Sequence, residues 1–368
     1  MKNESIFKRL ILLEILFLTG LSVVYFYKNK EVHCLASTAA EAGGQAGEFI
    51  KWVDFQVTAE ALEKAYEYDR DTYGQEVHLN WIELLAYTAA RTGGEFSKET
   101  LVNSYLEEAA AELSGGKTIE ELTEGMKYYG YYLEAYTAVL GGMVGEYEIQ
   151  VPAKASAGET QGEGEADAAG PLVWEKRYGL KAFLPIAKDF PYSDYDDFGV
   201  SRSYGYRRKH LGHDMMGQVG TPIIAVESGF VEALGWNQYG GWRIGIRSFD
   251  KKRYYYYAHL RQGFPYALEL EEGSRVQAGD VIGYMGHTGY STKEDVNNID
   301  QTHLHFGIQL IFDESQKEGA SEIWIDCYQI VRFLYRNRSA CVRNDATKEW
   351  HRIYDMREPD DSKEQRGL

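Results

Sequence analysis

Residues 300–312, DQTHLHFGIQLIF, place two histidines one residue apart at the start of an apolar run. Residues two apart share a face of a β-strand, so His303 and His305 are predicted to lie on one face and Leu304 and Phe306 on the other. Neutral imidazoles that converge on one position are most often metal ligands or groups that accept and donate protons. The pattern therefore predicts a strand with a buried apolar face and a histidine face that borders a site.

Histidines are concentrated around this strand. The chain has nine histidines, and six of them fall between residues 210 and 305. In KHLGHDMMG, His210 and Asp214 are four residues apart, and strand alternation puts both on one face and His213 on the other. The small Gly212 between them leaves room at this point. Two histidines and one carboxylate suit zinc, and three protein ligands leave a fourth position open, as in catalytic sites.

A third stretch, KKRYYYYAHLRQG, predicts a strand rich in aromatic residues. Alternation places Tyr255, Tyr257 and His259 on one face, so we expect His259 to be the last inward-facing residue. Downstream, GSRVQAGDVIGYMGHTGYS has the pattern of short β segments separated by glycine turns.

These four motifs, in this order, resemble the lysostaphin-type (LytM-like) zinc endopeptidases of bacterial cell walls. The motifs are H-x-x-x-D, A-H-L, V-x-A-G-D-x-I-G-x-x-G-x-T-G and H-L-H-F, and they span residues 198–310. The resemblance implies a two-layered antiparallel β fold, the duplicated hybrid motif, with one Zn²⁺ in a cleft across one sheet. It also implies hydrolysis of peptide bonds in peptidoglycan cross-bridges or stem peptides by a zinc-activated water.

The resemblance assigns roles to individual residues. His210, Asp214 and His305 would hold the metal, while His303 and His259 would flank the water. We assign His303 as the general base and His259 as the stabiliser of the tetrahedral intermediate, although the sequence does not separate these two roles.

Aromatic residues supply candidates for peptide binding. Tyr204, Tyr206 and Tyr239 lie near the metal motifs in the sequence and are candidate substrate contacts. The alternative for each is an ordinary core or surface tyrosine in a chain that has 29 of them.

Two other functions are compatible with the same motifs. The first is a non-catalytic LytM-like scaffold that binds a partner protein in cell-wall remodelling or sporulation, although such relatives typically lose metal ligands. The second is a peptidase of glycine-rich protein substrates. Retention of all the metal and flanking residues favours the metalloendopeptidase.

The N-terminal residues predict a membrane anchor. Residues 10–27 form an apolar stretch with Glu14 as its only charge, and at about 1.5 Å per residue they would cross roughly 27 Å of hydrocarbon. We therefore predict a short cytoplasmic stub and a transmembrane signal anchor in residues 1–30, followed by a linker at 31–52. The protein would be a single-pass cell-membrane protein with an extracytoplasmic catalytic domain. Its formal charge of −17 argues against nucleic acid as a partner.

Composition and periodicity divide the remaining chain, which we predict to be an α+β multidomain protein. Residues 53–150 have helical patterns and form a small all-α domain, either non-catalytic or a degenerate lysozyme-like module that has Arg91 where the acid would be. Residues 151–171 are rich in Ala, Gly and Glu and predict a flexible acidic linker that lets the catalytic domain reach its substrate. Residues 172–340 would be the all-β metallopeptidase domain with a C-terminal helix, and 341–368 a polar tail.

Overall fold

The computed structural model describes residues 49–153, 171–204 and 206–358, and the described residues from Val53 onward form one compact unit. The predicted anchor at residues 1–30 and the linker at 31–48 lie outside these ranges. No helix within the described ranges is both long enough and apolar enough to span a bilayer.

Helices occupy the region where the sequence predicts them. In chain order they are α1 (Ala59–Thr72), α2 (Trp81–Thr92), α3 (Glu99–Ser114), α4 (Ile119–Thr123) and α5 (Tyr129–Leu140). Asn80 caps α2 by accepting from the amides of Ile82 and Glu83, and Gly93 ends it in the left-handed conformation. Thr118 and Glu121 form the expected capping box of α4.

The strands belong mainly to antiparallel sheets. They are β1 (Val144–Pro152), β2 (Leu172–Leu180), β3 (Ser193–Asp194), β4 (Ser201–Tyr204), β5 (Tyr206–Lys209), β6 (His213–Met216), β7 (Pro222–Ile224), β8 (Gly229–Asn237), β9 (Gly241–Ser248), β10 (Arg253–Ala258), β11 (Arg275–Val276), β12 (Val281–Tyr284), β13 (His303–Leu310), β14 (Ile323–Ile325), β15 (Cys341–Arg343), β16 (Trp350–Arg352) and β17 (Met356–Arg357). The largest sheet has the order β11-β8-β9-β10-β13-β6-β3, and β14 also pairs with β13.

Strand β13 lies in the middle of the largest sheet, as its sequence predicts. Leu304, Phe306, Ile308 and Leu310 are fully buried on one face. The opposite face carries the histidines, since His305 pairs with Asp214 of β6 on one side and Ala258 of β10 on the other. Register thus brings the two sequence-distant metal motifs together on one face of the sheet.

The predicted linker at 151–171 is a connection between paired strands. Val151 and Pro152 pair with Val173 and Leu172, and the amide of Ala153 donates to the carbonyl of Pro171. The two ends of the segment are therefore adjacent, so it does not work as a tether that lets one domain move away from the other. Residues 154–170 lie outside the described ranges.

The C-terminal part is also more ordered than its polar composition suggests. The predicted helix is short, α6 (Tyr328–Leu334), and follows strand β14. Residues 341–358, which the sequence assigns to a polar tail, form the β15–β16 hairpin and strand β17, which pairs with β1. The tail prediction is wrong for these residues, because Met356 packs in a buried apolar cluster with Phe183 and Ile224. Residues 359–368 lie outside the described ranges.

A buried arginine joins the helices to the β-sheet. Arg253 of β10 is 1% exposed and forms a bidentate pair with Glu227, with N···O distances of 2.7 and 3.0 Å. Its Nη1 also donates to the carbonyl of Ala138 in α5, at 2.7 Å. The helical and β regions therefore share a buried polar network and pack as one body.

Candidate metal centre

Three side chains from separate parts of the sequence point one atom each at a common position. Nε2 of His210, Oδ1 of Asp214 and Nδ1 of His305 are 2.8 to 3.0 Å from one another. Ligand atoms bound at about 2.0–2.1 Å to a tetrahedral zinc ion lie about 3.4 Å apart. Small side-chain adjustments would therefore suit these three atoms to one ion, and they are the donor types that zinc prefers.

The local backbone explains why the three groups meet. Asp214 and His305 are direct partners in the β6–β13 ladder, so their side chains emerge on the same face. His210 directly follows β5, and its amide donates to the carbonyl of Val200. Gly212 allows the ring of His305 to lie close to the backbone after His210, because a Cβ at residue 212 would lie 2.6 Å from Cε1 of His305.

Asp197, which none of the four sequence motifs includes, lies behind His210. Nδ1 of His210 lies 3.0 Å from the carbonyl oxygen of Asp197 and 3.2 Å from its Oδ2. Both partners are acceptors, so Nδ1 carries a proton, and Nε2 is the nitrogen that faces the centre and would offer a lone pair to a metal once it is deprotonated. Carboxylate support of this kind orients histidine ligands in metal sites.

Arg202 fixes the carboxylate of Asp214 from its other side. Nη2 of Arg202 donates to Oδ2 of Asp214 at 2.9 Å and to Oδ2 of Asp197 at 2.6 Å. Oδ1 of Asp214 is left to face the two histidines. The two aspartates and Arg202 thus form a support for the ligand set that lies outside the recognised motifs.

The charges of the site shift the pKa values of its members in opposite directions. Burial lowers the pKa of His210, but hydrogen bonds to Asp197 and Asp214 outweigh burial and raise it to about 9. Burial alone would raise the pKa of Asp214, yet its contacts with His210 and His305 hold it well below the usual range. Burial lowers the pKa of His305. The carboxylate is therefore ionised throughout the neutral range, as a metal ligand must be.

His303 and His259 stand side by side next to the three ligand atoms. Their ring centroids are 4.7 Å apart, and Nε2 of His303 is 3.7 Å from Oδ1 of Asp214. Nδ1 of His303 donates to the carbonyl of Gln301, and Nδ1 of His259 donates to the carbonyl of Thr288. In its neutral form each ring therefore directs an Nε2 lone pair into the cleft.

His259 reaches this position by a route that alternation does not predict. Tyr255 and Tyr257 are buried in the core against Phe306, on the face opposite the cleft. His259, expected on their face, instead lines the cleft together with Tyr256. Strand β10 ends at Ala258, and His259 has φ +62°, a left-handed conformation that turns its side chain to the other face. The face predicted for His259 is therefore wrong.

The ligand atoms line a cleft of about 990 Å³. Tyr239 lines it, as the sequence analysis proposes, and the structure adds Tyr254, Tyr256, Tyr290 and Trp324, which the motifs did not indicate. Tyr204 and Tyr206 lie in strands β4 and β5, but their side chains are outside the described parts of the chain.

The two remaining histidines of the cluster do not join the centre. His213 faces away from Asp214, as alternation predicts, and its Nε2 is 2.8 Å from Oδ2 of Asp194. Burial lowers the pKa of His213, but hydrogen bonds to Asp194 and Asp197 raise it to about 9. Nδ1 of His287 lies 2.8 Å from the carbonyl of Ile299, a contact that ties the glycine turn to the loop before β13.

Comparison with known sequences identifies the region around the centre. Residues 208–317 match the model of peptidase family M23. The chain is 40% identical over 131 residues to the L-Ala--D-Glu endopeptidase of Bacillus subtilis (strain 168), covering 35% of this chain and 38% of that protein. It is 38% identical over 98 residues to the glycyl-glycine endopeptidase ALE-1 of Staphylococcus capitis, covering 26% of this chain and 24% of that one. The match thus spans well under half of each relative.

Comparison with solved structures extends over more of the chain. A putative glycyl-glycine endopeptidase lytM from Ruminococcus gnavus ATCC 29149 aligns with a TM-score of 0.50 and 23% identity, covering 80% of this chain and 94% of that one. At this identity the likeness concerns the fold alone. Together with the family match, it confirms the resemblance that the four motifs predict.

Proposed function

We propose that this protein is a zinc metalloendopeptidase that hydrolyses peptide bonds of peptidoglycan, because residues 208–317 match the model of peptidase family M23. The observation that carries the proposal is the convergence of the ligand atoms of His210, Asp214 and His305 beside two further histidines in one cleft. Relatives named for L-Ala--D-Glu and glycyl-glycine cleavage support hydrolysis of a peptide bond, and the motif resemblance favours peptidoglycan as the source of that bond. We also assign the β region to the duplicated hybrid motif, on the basis of the motif resemblance.

The chain's own residues would divide the work of hydrolysis. His210, Asp214 and His305 would hold one zinc ion, which would supply the Lewis acidity needed to activate a water and polarise the scissile carbonyl. His303 and His259 offer Nε2 lone pairs, so either ring can accept the proton of the attacking water. We keep His303 as the general base and His259 as the group that stabilises the oxyanion.

The geometry sets a condition on the role of His259. Nδ1–H of His259 already donates to the carbonyl of Thr288. His259 can therefore donate to an oxyanion only when its Nε2 is also protonated. Burial and the neighbouring His303 and His305 hold its pKa well below the ordinary value, so it is neutral in the resting site. It would therefore stabilise negative charge only when it, and not His303, holds the proton that the attacking water gives up.

The non-catalytic scaffold is the less favoured function. A scaffold requires neither an ordered ligand triangle nor supports such as Asp197 and Arg202, which hold His210 and Asp214 in orientation. Burial of these charged groups has an energetic cost that a binding surface alone would not explain.

We propose an extracytoplasmic location from the sequence alone. The apolar stretch at 10–27 would anchor the protein in the cell membrane and leave the cleft on the outer side, in reach of peptidoglycan. Carbonate-resistant sedimentation with membranes, together with protease accessibility of the C-terminal region in intact spheroplasts, tests this. Release of the full-length chain by carbonate would contradict it.

Digestion of purified peptidoglycan by the full-length protein tests the activity. We expect new peptide termini, read by mass spectrometry of muropeptides, that disappear with a chelator and return with added zinc. His305→Ala should lose both zinc and activity. His303→Ala should keep its zinc while hydrolysis falls by about 10²- to 10⁴-fold.

The same experiment distinguishes a non-catalytic scaffold from a peptidase. Zinc-loaded wild-type protein that sediments with peptidoglycan but releases no new termini from any wall preparation would argue for binding without hydrolysis.

A further inference from the structure

The wall of the cleft next to the metal centre carries an arginine, Arg208, that the motifs do not include. We propose that Arg208 binds a carboxylate of the substrate, so that the preferred substrate is an acidic peptide, such as a stem peptide with a glutamate carboxylate beside the scissile bond, and not a neutral glycine bridge. This inference rests on the peptidase function proposed for the same site.

The position of Arg208 relative to the metal ligands follows from strand geometry. Arg208 pairs with Arg202 in the β4–β5 ladder, and the pairing continues to His210, whose amide bonds to Val200. Arg208 and His210 are two residues apart in this extended segment, so their side chains share a face and both line the cleft. Their spacing is about 7 Å, the length of two residues of an extended peptide. A group held by Arg208 would therefore lie within about two residues of the reacting bond.

Two aromatic rings hold the guanidinium in place. Its carbon lies 5.1 Å from the ring centroid of Tyr239 and 5.2 Å from that of Tyr290, and Nη2 donates to the hydroxyl of Tyr290 at 2.8 Å. Tyr290 in turn lies beside His259, with ring centroids 6.0 Å apart. Packing against the two aromatic rings restricts the motion of the guanidinium and leaves most of its N–H groups available to a further partner.

The charge of Arg208 is not neutralised by the protein. Among the residues that the structure describes, no carboxylate forms an ion pair with it. Two other cations of the cleft are neutralised by acids: Arg202 pairs with Asp197 and Asp214, and Lys317 pairs with Glu232. A cation left without an acidic partner in a chain of formal charge −17 is suited to an anionic group of the substrate.

Arginine and carboxylate match in geometry as well as in charge. The two N–H groups of one guanidinium edge bind both oxygens of a carboxylate in parallel, whereas a carboxamide of the same size offers one acceptor and no charge. Hydrogen bonds to charged groups contribute more than neutral ones, so the pair should favour the carboxylate by about 10- to 100-fold in kcat/KM.

Two matched stem peptides test the inference. They are identical except that the glutamate carries a free carboxylate in one and a carboxamide in the other. We expect zinc-loaded full-length protein to cleave the carboxylate form with a kcat/KM about 10- to 100-fold higher, and Arg208→Gln to reduce this ratio to about one.

Arg207→Gln is the matched control. Arg207 is the preceding residue of the same strand, is exposed, and bonds Oγ of Ser201, so its substitution makes the same charge change away from the cleft. The ratio should stay at the wild-type value in this variant.

Two outcomes would overturn the role of Arg208: a wild-type ratio near one, or a ratio that Arg208→Gln leaves unchanged, even if both rates fall together. If the wild-type protein cleaves neither peptide, the peptidase proposal fails separately. In that case the affinities of both peptides for the zinc-loaded protein, measured by calorimetry, still test the preference for a carboxylate. Equal affinities would reject that preference.

Discussion

Asp197 contacts the imidazole of His210 with both its backbone and its side chain, at 3.0 and 3.2 Å from Nδ1. The same carboxylate also accepts from Arg202 at 2.6 Å. One residue thus fixes the tautomer of a candidate metal ligand and links it to the group that orients Asp214. This support is a property of the fold, since residue 197 lies outside the motif that contains His210.

Asp197→Asn should weaken zinc binding by about 10-fold, because the amide keeps the shape but removes the negative charge that supports the His210 ring. Competition with a chromophoric chelator measures the affinity, and circular dichroism checks that the fold is retained. Asp196→Asn, a change in the exposed neighbouring acid, should leave the affinity unchanged. Equal affinities for Asp197→Asn and wild type would reject the supporting role.

Zinc affinity should increase with pH across the neutral range. His210 must lose its proton to bind metal, and its pKa in the metal-free site is raised to about 9. Below that value the apparent Kd should therefore increase about tenfold for each unit by which the pH falls, and the dependence should flatten above about pH 9. Isothermal titration in buffers of different ionisation enthalpy should detect release of about one proton at pH 7. Binding without proton release would contradict the assignment.

The metal-free protein should show the opposite trend in stability. His210 and His213 both have folded-state pKa values raised to about 9, so their stabilising contribution is complete below about pH 6.5 and is lost as the pH rises toward 9. Thermal unfolding with a chelator present should give a Tm that decreases over this interval. The decrease should be smaller in His213→Gln, which lacks one of the two groups.

Gly212→Ala should disrupt the metal centre by steric conflict. The added methyl would lie 2.6 Å from Cε1 of His305 and 2.7 Å from the carbonyl oxygen of Phe306. We expect about 1–3 kcal/mol of destabilisation and a loss of at least about 100-fold in hydrolysis, because the ligand ring must move. Gly130→Ala is the control, since a Cβ at that helical position meets no atom within 4 Å and should stabilise slightly. Full activity of Gly212→Ala would show that His305 has more freedom than its packing indicates.

Arg253→Met should cost about 3–5 kcal/mol in the free energy of unfolding, because it leaves the carboxylate of Glu227 buried without its partner. Urea denaturation measures the change, and the double variant with Glu227→Gln should recover part of it. Arg332→Met breaks an exposed pair between the C-terminal helix α6 and Glu60 of α1 and should cost less than about 1 kcal/mol. Equal costs for the two arginines would contradict the network's role in joining helices and sheet.

The central strand was predictable because one of its faces is buried. A one-residue shift of β13 would expose Leu304 and Phe306, so the hydrophobic pattern fixes which face carries His303 and His305. Alternation failed for His259 because it applies only while the ladder continues, and a left-handed residue after Ala258 reverses the side-chain direction.

Other features depend on contacts that no local pattern records. Asp197 and Arg202 resemble ordinary polar loop and hairpin residues in the sequence, and only the folded chain brings them behind the ligands. The composition of residues 154–170 indicates that they cannot form a core, but it carries no information about the pairing of the flanking strands. The burial of Met356 likewise comes from Phe183 and Ile224, which are distant in sequence.

The residues that flank 154–170 are paired with each other, which makes this segment a suitable site for inserting another domain. Since Ala153 and Pro171 are already hydrogen-bonded to each other, a longer excursion between them changes only loop entropy, by about 0.6 kcal/mol for each doubling of length. A fluorescent reporter or a wall-binding module inserted there would be carried by the protein without separating its helices from the cleft.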